Sequence, residues 1–174
     1  MKGIDLNIPY GAIFSGDGKY RYALWRVWST IKRPLLFVGL NPSKASSTMN
    51  DPTIIRLMIR ASNAGFGGLL AANLYGYVSS YPDVLLGDGD FVGEENDAYL
   101  KLAIEMVSQT VCGWGSFRAV VKRADAVLKM IPEPYCLGVN KDGQPKHPLY
   151  ISYDTPLRRL VSRVEATNAP LREV

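Results

Sequence analysis

The sequence predicts an α/β fold: a three-layer α-β-α sandwich around a four-stranded, mainly parallel sheet, with a hairpin added at the N-terminus. Three observations carry this. Short apolar runs recur along the chain, at residues 35–39, 69–78, 110–117 and 134–139. Between them lie segments whose apolar residues keep helical spacing. Each run ends in glycine or polar residues, so strands and helices alternate instead of clustering, as in a parallel sheet held between helical layers. With 174 residues, 47% hydrophobic and 21% charged, the chain reads as one domain over residues 1–174 with a sizeable core.

The elements follow in order. "FSGDGKYRYALWRVW" reads as a strand, a Gly16-Asp17-Gly18 turn, and a second strand or short helix. The turn lacks the spacing of a phosphate-binding P-loop and is taken as a hairpin turn. Leu35 to Gly39 form the first core strand. Asp51 or Thr53 then caps a helix over Ile54 to Ala64, with Ile54, Leu57, Met58 and Ala61 on its apolar side. Gly65 to Gly68 stop it, and "LLAANLYGYV" is the second strand.

Residues 79–97, rich in Pro, Gly and Asp, read as a long loop. "NDAYLKLAIEMVSQ" is helical, with Ala98, Leu102 and Met106 on one side. "TVCGWGSF" is the third strand, "RAVVKRADAVLKMI" an amphipathic helix and "PYCLGV" the fourth strand. The polar loop "NKDGQPKHPLYI" carries the single histidine, and "TPLRRLVSRVEA" is predicted to be a final helix.

Composition narrows the function. No apolar run approaches the roughly 18 to 20 residues that span a bilayer. The N-terminus lacks the apolar core of a signal peptide, so a cytoplasmic protein with no membrane partner is expected. The two cysteines, Cys112 and Cys136, lie in apolar segments and read as reduced core residues. Two cysteines and one histidine are too few for an iron–sulfur cluster or a structural zinc. No cofactor is expected; a carboxylate-bound magnesium is the one metal these counts leave open. The net charge of +4 suits an anionic partner. Basic groups at Lys19/Arg21/Arg26, Arg56/Arg60, Lys122/Arg123 and Arg158/Arg159/Arg163 fit either solvated faces or a nucleic-acid surface. Arg21 and Arg26, interleaved with the rings of Tyr20, Tyr22, Trp25 and Trp28, either belong to an amphipathic strand or helix packed on the core or meet phosphates and bases.

In a parallel sheet, ligands bind beyond the carboxyl ends of the strands. There the sequence places Asn41, Asn73, the Gly115-Ser116 turn and His147, which should converge at one edge. Asn41 either caps a turn before Pro42 or orients a water; a neutral amide is a poor general base. Asn73, closing an apolar strand, must bond either to backbone or to a ligand. His147, between Pro145 and Pro148, is inert or donates a proton or hydrogen bond to a developing anion. Asp51 either activates water or caps the following helix.

Several stretches together resemble a bacterial and phage family known as domain of unknown function 1643: "YRYALWRVW", "FVGLNPSKASSTMNDPTIIR", "GFGGLLAANLYGY", "VGEENDAYL", "CGWGS" and "CLGVNKDGQPKHPLYI". A deeper resemblance is to the uracil-DNA glycosylase superfamily. Gly39-Leu40-Asn41-Pro42-Ser43 looks like the Gly-Ile-Asn-Pro-Gly motif of its mismatch-specific branch. "LLAAN" is similar to its base-reading strand, "CGWGSF" to its "LLWGSYA"-type strand, and His147-Pro148 to the start of its His-Pro-Ser-Pro motif.

The resemblance implies a uracil-DNA-glycosylase-like fold and cleavage of an N-glycosidic bond. Asn41 would position the attacking water, Asp51 would assist it, and His147 would stabilise charge on the departing base. Gly39, Leu40, Pro42, Ser43, Asn73, Tyr75 and Ser116 would bind the base, and Arg56, Lys44 and Lys146 the phosphates. The expected partner is a modified or unmodified base in DNA. The alternatives are a free nucleotide or nucleoside, and a binding module without catalysis.

Overall fold

A computed structural model describes residues 3–161 of the chain. Its strands are β1 (Tyr10–Phe14), β2 (Arg21–Val27), β3 (Leu35–Gly39), β4 (Gly68–Asn73), β5 (Thr110–Cys112), β6 (Pro134–Cys136) and β7 (Arg158–Arg159). They form one mixed sheet in the order β1-β2-β4-β3-β5-β6-β7. Three helices accompany it: α1 (Pro52–Asn63), α2 (Asn96–Glu105) and α3 (Val120–Leu128).

The apolar runs are continuous because both sheet faces are covered. In β3, Leu35 and Phe37 join the cluster that holds Ile54, Leu57 and Ala61 of α1. Leu36 and Val38 point the other way, into the cluster of Tyr99, Leu100 and Ala103 from α2 with Val120, Ala124 and Val127 from α3. Burying a side chain of this size contributes about 1.5–3 kcal/mol, so the two-sided β3 sits at the energetic centre of the fold. Asp51 starts α1 by accepting from the Ile54 N–H at 2.9 Å, with Pro52 in the first turn, where its missing N–H costs nothing.

Within the sheet, β4, β3, β5 and β6 run parallel. The expectation of four strands is corrected to seven. The hairpin strands belong to the same sheet, because β2 pairs antiparallel with β4 and carries β1. At the other edge, part of the expected final helix is the strand β7, antiparallel to β6. The unpaired backbone groups of β6 outweigh the helical periodicity there, and Leu160, buried beyond β7, donates its N–H to the Pro134 carbonyl. The rest of that expected helix lies outside the described residues. The long loop contains a 3-10 turn at Pro82–Leu86 that buries Leu85. No helix among the described residues is long and apolar enough to cross a membrane.

One irregularity in β2 matters for the site. Pairing with β1 proceeds to Ile13↔Ala23 and then jumps to Phe14↔Arg21, leaving Tyr22 as the extra residue of a β-bulge. Tyr22 and Ala23 consequently pack into the same cluster. The alternation is reset, and Arg21 faces the α1 side together with Leu24 and Arg26.

Candidate functional site

Beyond the carboxyl ends of β3, β4 and β5 lies a cavity of about 350 Å³, within the size range of small-molecule sites. It brings together Gly39, Leu40, Asn41, Ser43, Asp51, Asn73, Ser116 and His147. The parallel register explains part of this: Gly39 pairs with Asn73, and Val38 with Cys112 immediately before the Gly113-Trp114-Gly115 exit.

Asn41 locks the loops that leave β3 and β4. Its Nδ2 donates to the carbonyls of Pro42 at 3.1 Å, Tyr77 at 3.4 Å and Ser79 at 2.8 Å. With the NH2 group held by carbonyls, Oδ1 is the acceptor left to orient a water or a ligand N–H.

Asn73 is 7% exposed, and its side-chain amide makes no hydrogen bond within the described protein while lining the cavity. A buried amide in that state is completed by water or a ligand. Its position is fixed from behind, where Asn96 Nδ2 donates to the carbonyls of Asn73 at 3.1 Å and Leu74 at 3.2 Å. Gly39 leaves room beside it, since a Cβ there would come within 2.9 Å of Asn73 Oδ1 and displace that side chain.

Asp51 combines its helix-capping bond with a place in the cavity wall. His147 is half-buried, and its Nδ1 accepts from the Leu149 N–H at 3.4 Å. The ring proton of the neutral form therefore sits on Nε2. Burial lowers the His147 pKa below its ordinary 6.5, against the opposing pull of the Asp51 carboxylate, so the ring is neutral at pH 7. Because the folded pKa is depressed, the stability from the neutral ring is complete above 6.5 and is lost as the pH falls through the lowered value. His147→Gln should remove this acid-side component. Urea midpoints of wild type and variant at about pH 7.5 and about pH 5 should show a smaller drop for the variant.

The loop bearing His147 is pinned on several sides. Trp114 Nε1 donates to Gln144 Oε1 at 2.8 Å, and the Gly115 N–H to the Pro145 carbonyl at 2.9 Å. Gly115 takes φ +77°, a left-handed turn that other residues resist. Arg56 donates to the carbonyls of Pro148 and Ile151 and stacks on Tyr153 with its Cζ 4.2 Å from the ring centroid. Arg60 donates to Ile151 and Ser152.

Five expected site residues lie outside the cavity lining. Pro42 is buried and accepts from the Ser79 N–H at 2.9 Å. Tyr75 sits in the core on the α2–α3 side, its hydroxyl donating to the Ala119 carbonyl at 2.8 Å. Arg56 spends its guanidinium on the loop after His147, while Lys44 and Lys146 are exposed. Arg26 is 6% exposed and bonds Asn50, Trp25, Ser46 and Met49. Arg21 is buried as well, so neither arginine belongs to an exposed basic face.

The cavity also contains Phe37, Trp114 and Phe117, which pattern reading passed over, and Arg21, which it singled out without placing it at the strand ends. An arginine inside the apolar run "RYALWRV" was the available signal for Arg21, but strict alternation put it and Arg26 on opposite faces. Among the described residues no group of three His, Cys, Asp or Glu is placed to hold a metal ion. Cys112 and Cys136 are buried and unpaired, and burial raises the Cys112 thiol pKa.

No curated protein and no solved structure matches the chain. A family model does: the one described as protein of unknown function (DUF1643), over residues 21–149. That span runs from Arg21 to two residues past His147 and includes every residue of the cavity lining. The chain belongs to the DUF1643 family.

Proposed function

We propose that the cavity binds a nucleobase and that the protein hydrolyses the N-glycosidic bond of a base, modified or unmodified, in DNA. The observation that carries this reading is the meeting of Asn41, Asn73, Asp51 and His147 in one cavity, with the Asn73 amide unpartnered. The resemblance to the uracil-DNA glycosylase superfamily supports the same assignment, motif by motif.

Water, oriented by Asn41 Oδ1, attacks the anomeric carbon and gives one proton to the Asp51 carboxylate, which returns it to the departed base. A carbon–oxygen bond forms, the carbon–nitrogen bond breaks, and its electron pair departs with the base. The Nε2–H of neutral His147 hydrogen-bonds the base oxygen as negative charge grows there, and Asn73 reads the polar edge. In duplex DNA the nucleotide must be flipped out. Tyr81, 77% exposed between the lining residues Ser80 and Pro82, and Tyr150, 88% exposed after His147, offer rings for neighbouring bases.

A second reading, hydrolysis of a free nucleotide or nucleoside, is favoured by the size of the cavity and by a buried cation inside it. A third is binding without catalysis. Base release from modified oligonucleotides and from free nucleotides separates them, with Asn41→Ala and His147→Ala as controls. Release from oligonucleotides that both variants abolish is the expected result. Binding without release from either class would sink the hydrolase readings and leave the binding module.

A further inference from the structure

Arg21 is 4% exposed and lines the cavity. Its Nη1 donates to the Ala45 carbonyl. Its Nε is buried with no hydrogen-bond partner, and its Nη2 makes no bond within the described protein. Among the described residues the ion pairs are Lys19–Asp17 and Arg123–Asp97, so no carboxylate lies at ion-pair distance from Arg21. Asp51 is near enough to favour its charge and Arg26 near enough to oppose it.

A buried guanidinium without an ion pair is costly, and the protein holds it in place with a dedicated β-bulge. The donors left without a protein partner among the described residues form the side-on pair Nε–H and Nη2–H. Two parallel donors in one plane match two oxygens of a carboxylate or phosphate. Arg26, four residues beyond the bulged Tyr22 and on the same face as Arg21, shows the contrast: all three of its nitrogens donate to protein, and it anchors residues 46–50.

We infer that Arg21 is a ligand-binding residue, and that the ligand of this cavity presents an anionic group with two adjacent oxygens to its Nε–Nη2 edge. This rests on the cavity being a ligand site, as proposed above, but not on glycosidic hydrolysis. The shared chemistry has two sources: a carboxylate carried on the base itself, or the phosphate of a nucleotide. Asn73, in the same cavity, then reads the uncharged part of the ligand. Burial pushes the Arg21 pKa down to about 10, which leaves the side chain charged at neutral pH and available to such an anion.

Calorimetric titration of the full chain tests this with matched pairs: orotate against uracil, thymidine 5′-monophosphate against thymidine, and inorganic phosphate alone. At least one anionic member should bind tenfold or more tightly than its neutral partner. Preference for orotate identifies a carboxylated base; preference for the monophosphate, or binding of inorganic phosphate, identifies the phosphate source. Arg21→Lys keeps the charge without the planar pair, and Arg21→Met removes both; each should lose the discrimination. Melting temperatures without ligand confirm that each variant is folded, so that lost discrimination is read on folded protein.

Equal binding within both pairs, or no binding of any anion, overturns the inference using wild-type protein alone. Wild-type anion affinity in folded Arg21→Met overturns it as well. Release of a neutral base by a protein that does not prefer anions would leave the proposed function standing without this inference. Anion preference without base release would do the reverse.

Discussion

His147→Ala is expected to slow base release about a hundredfold, equivalent to roughly 3 kcal/mol of lost transition-state stabilisation. The loss should fall on kcat rather than on substrate binding, because the bond from Nε2–H strengthens only as the base acquires charge. His147→Gln supplies an amide N–H of similar reach and should recover part of the rate. Single-turnover release from an oligonucleotide that the wild type processes is the measurement. Equal slowing by both variants would point to a disturbed loop, since His147 also caps the 3-10 turn Pro148–Tyr150. A rate unchanged in His147→Ala would remove the electrophile from the mechanism.

Arg26→Ala carries the largest expected effect on stability, about 3 kcal/mol or more. Its guanidinium donates to the carbonyls of Trp25, Ser46 and Met49 and to Asn50 Oδ1, all from a buried position. Hydrogen bonds to charged groups contribute about 1.5–3 kcal/mol each, and orphaned acceptors add their own cost. These bonds are not additive, which keeps the expectation near the cost of one or two. Residues 46–50 lead directly into Asp51, so the variant should lose ligand binding together with stability. Urea unfolding measures the first and titration the second. A midpoint within error of wild type would show that the loop is held by other contacts.

The sequence carried the parallel centre of the sheet clearly. Leu35-Leu36-Phe37-Val38 is apolar on both parities, which only a strand covered on two faces tolerates. It also indicated several residues that line the cavity, because a polar side chain at the end of such a strand has few other places to go. Asn73 closes a strand, Asn41 and His147 each follow one, and Asp51 follows Asn41 by the length of one loop. What failed were positions set by distant partners. Arg56, basic and near the site, was expected to meet phosphate; it holds the carbonyls of Pro148 and Ile151, some ninety residues away in the chain. Tyr75, two residues beyond Asn73, turns into the opposite core layer and bonds Ala119.

The expected last helix failed for a related reason. Arg158-Arg159 has no strand character of its own, but the open edge of β6 supplies the pairing. Edge pairing is a long-range event that local periodicity does not register.

By itself, then, the sequence determined the strand–helix alternation, the two-sided burial of β3 and the polar groups at the strand ends, because each depends on neighbours a few residues apart. Among the described residues, only the tertiary structure decided that the sheet has seven strands, that the Asn73 side-chain amide bonds no protein group, and that Arg21 enters the cavity. A single extra residue in β2 reverses the face on which Arg21 emerges. That bulge is defined by pairing with β1, and no period read along β2 alone contains it.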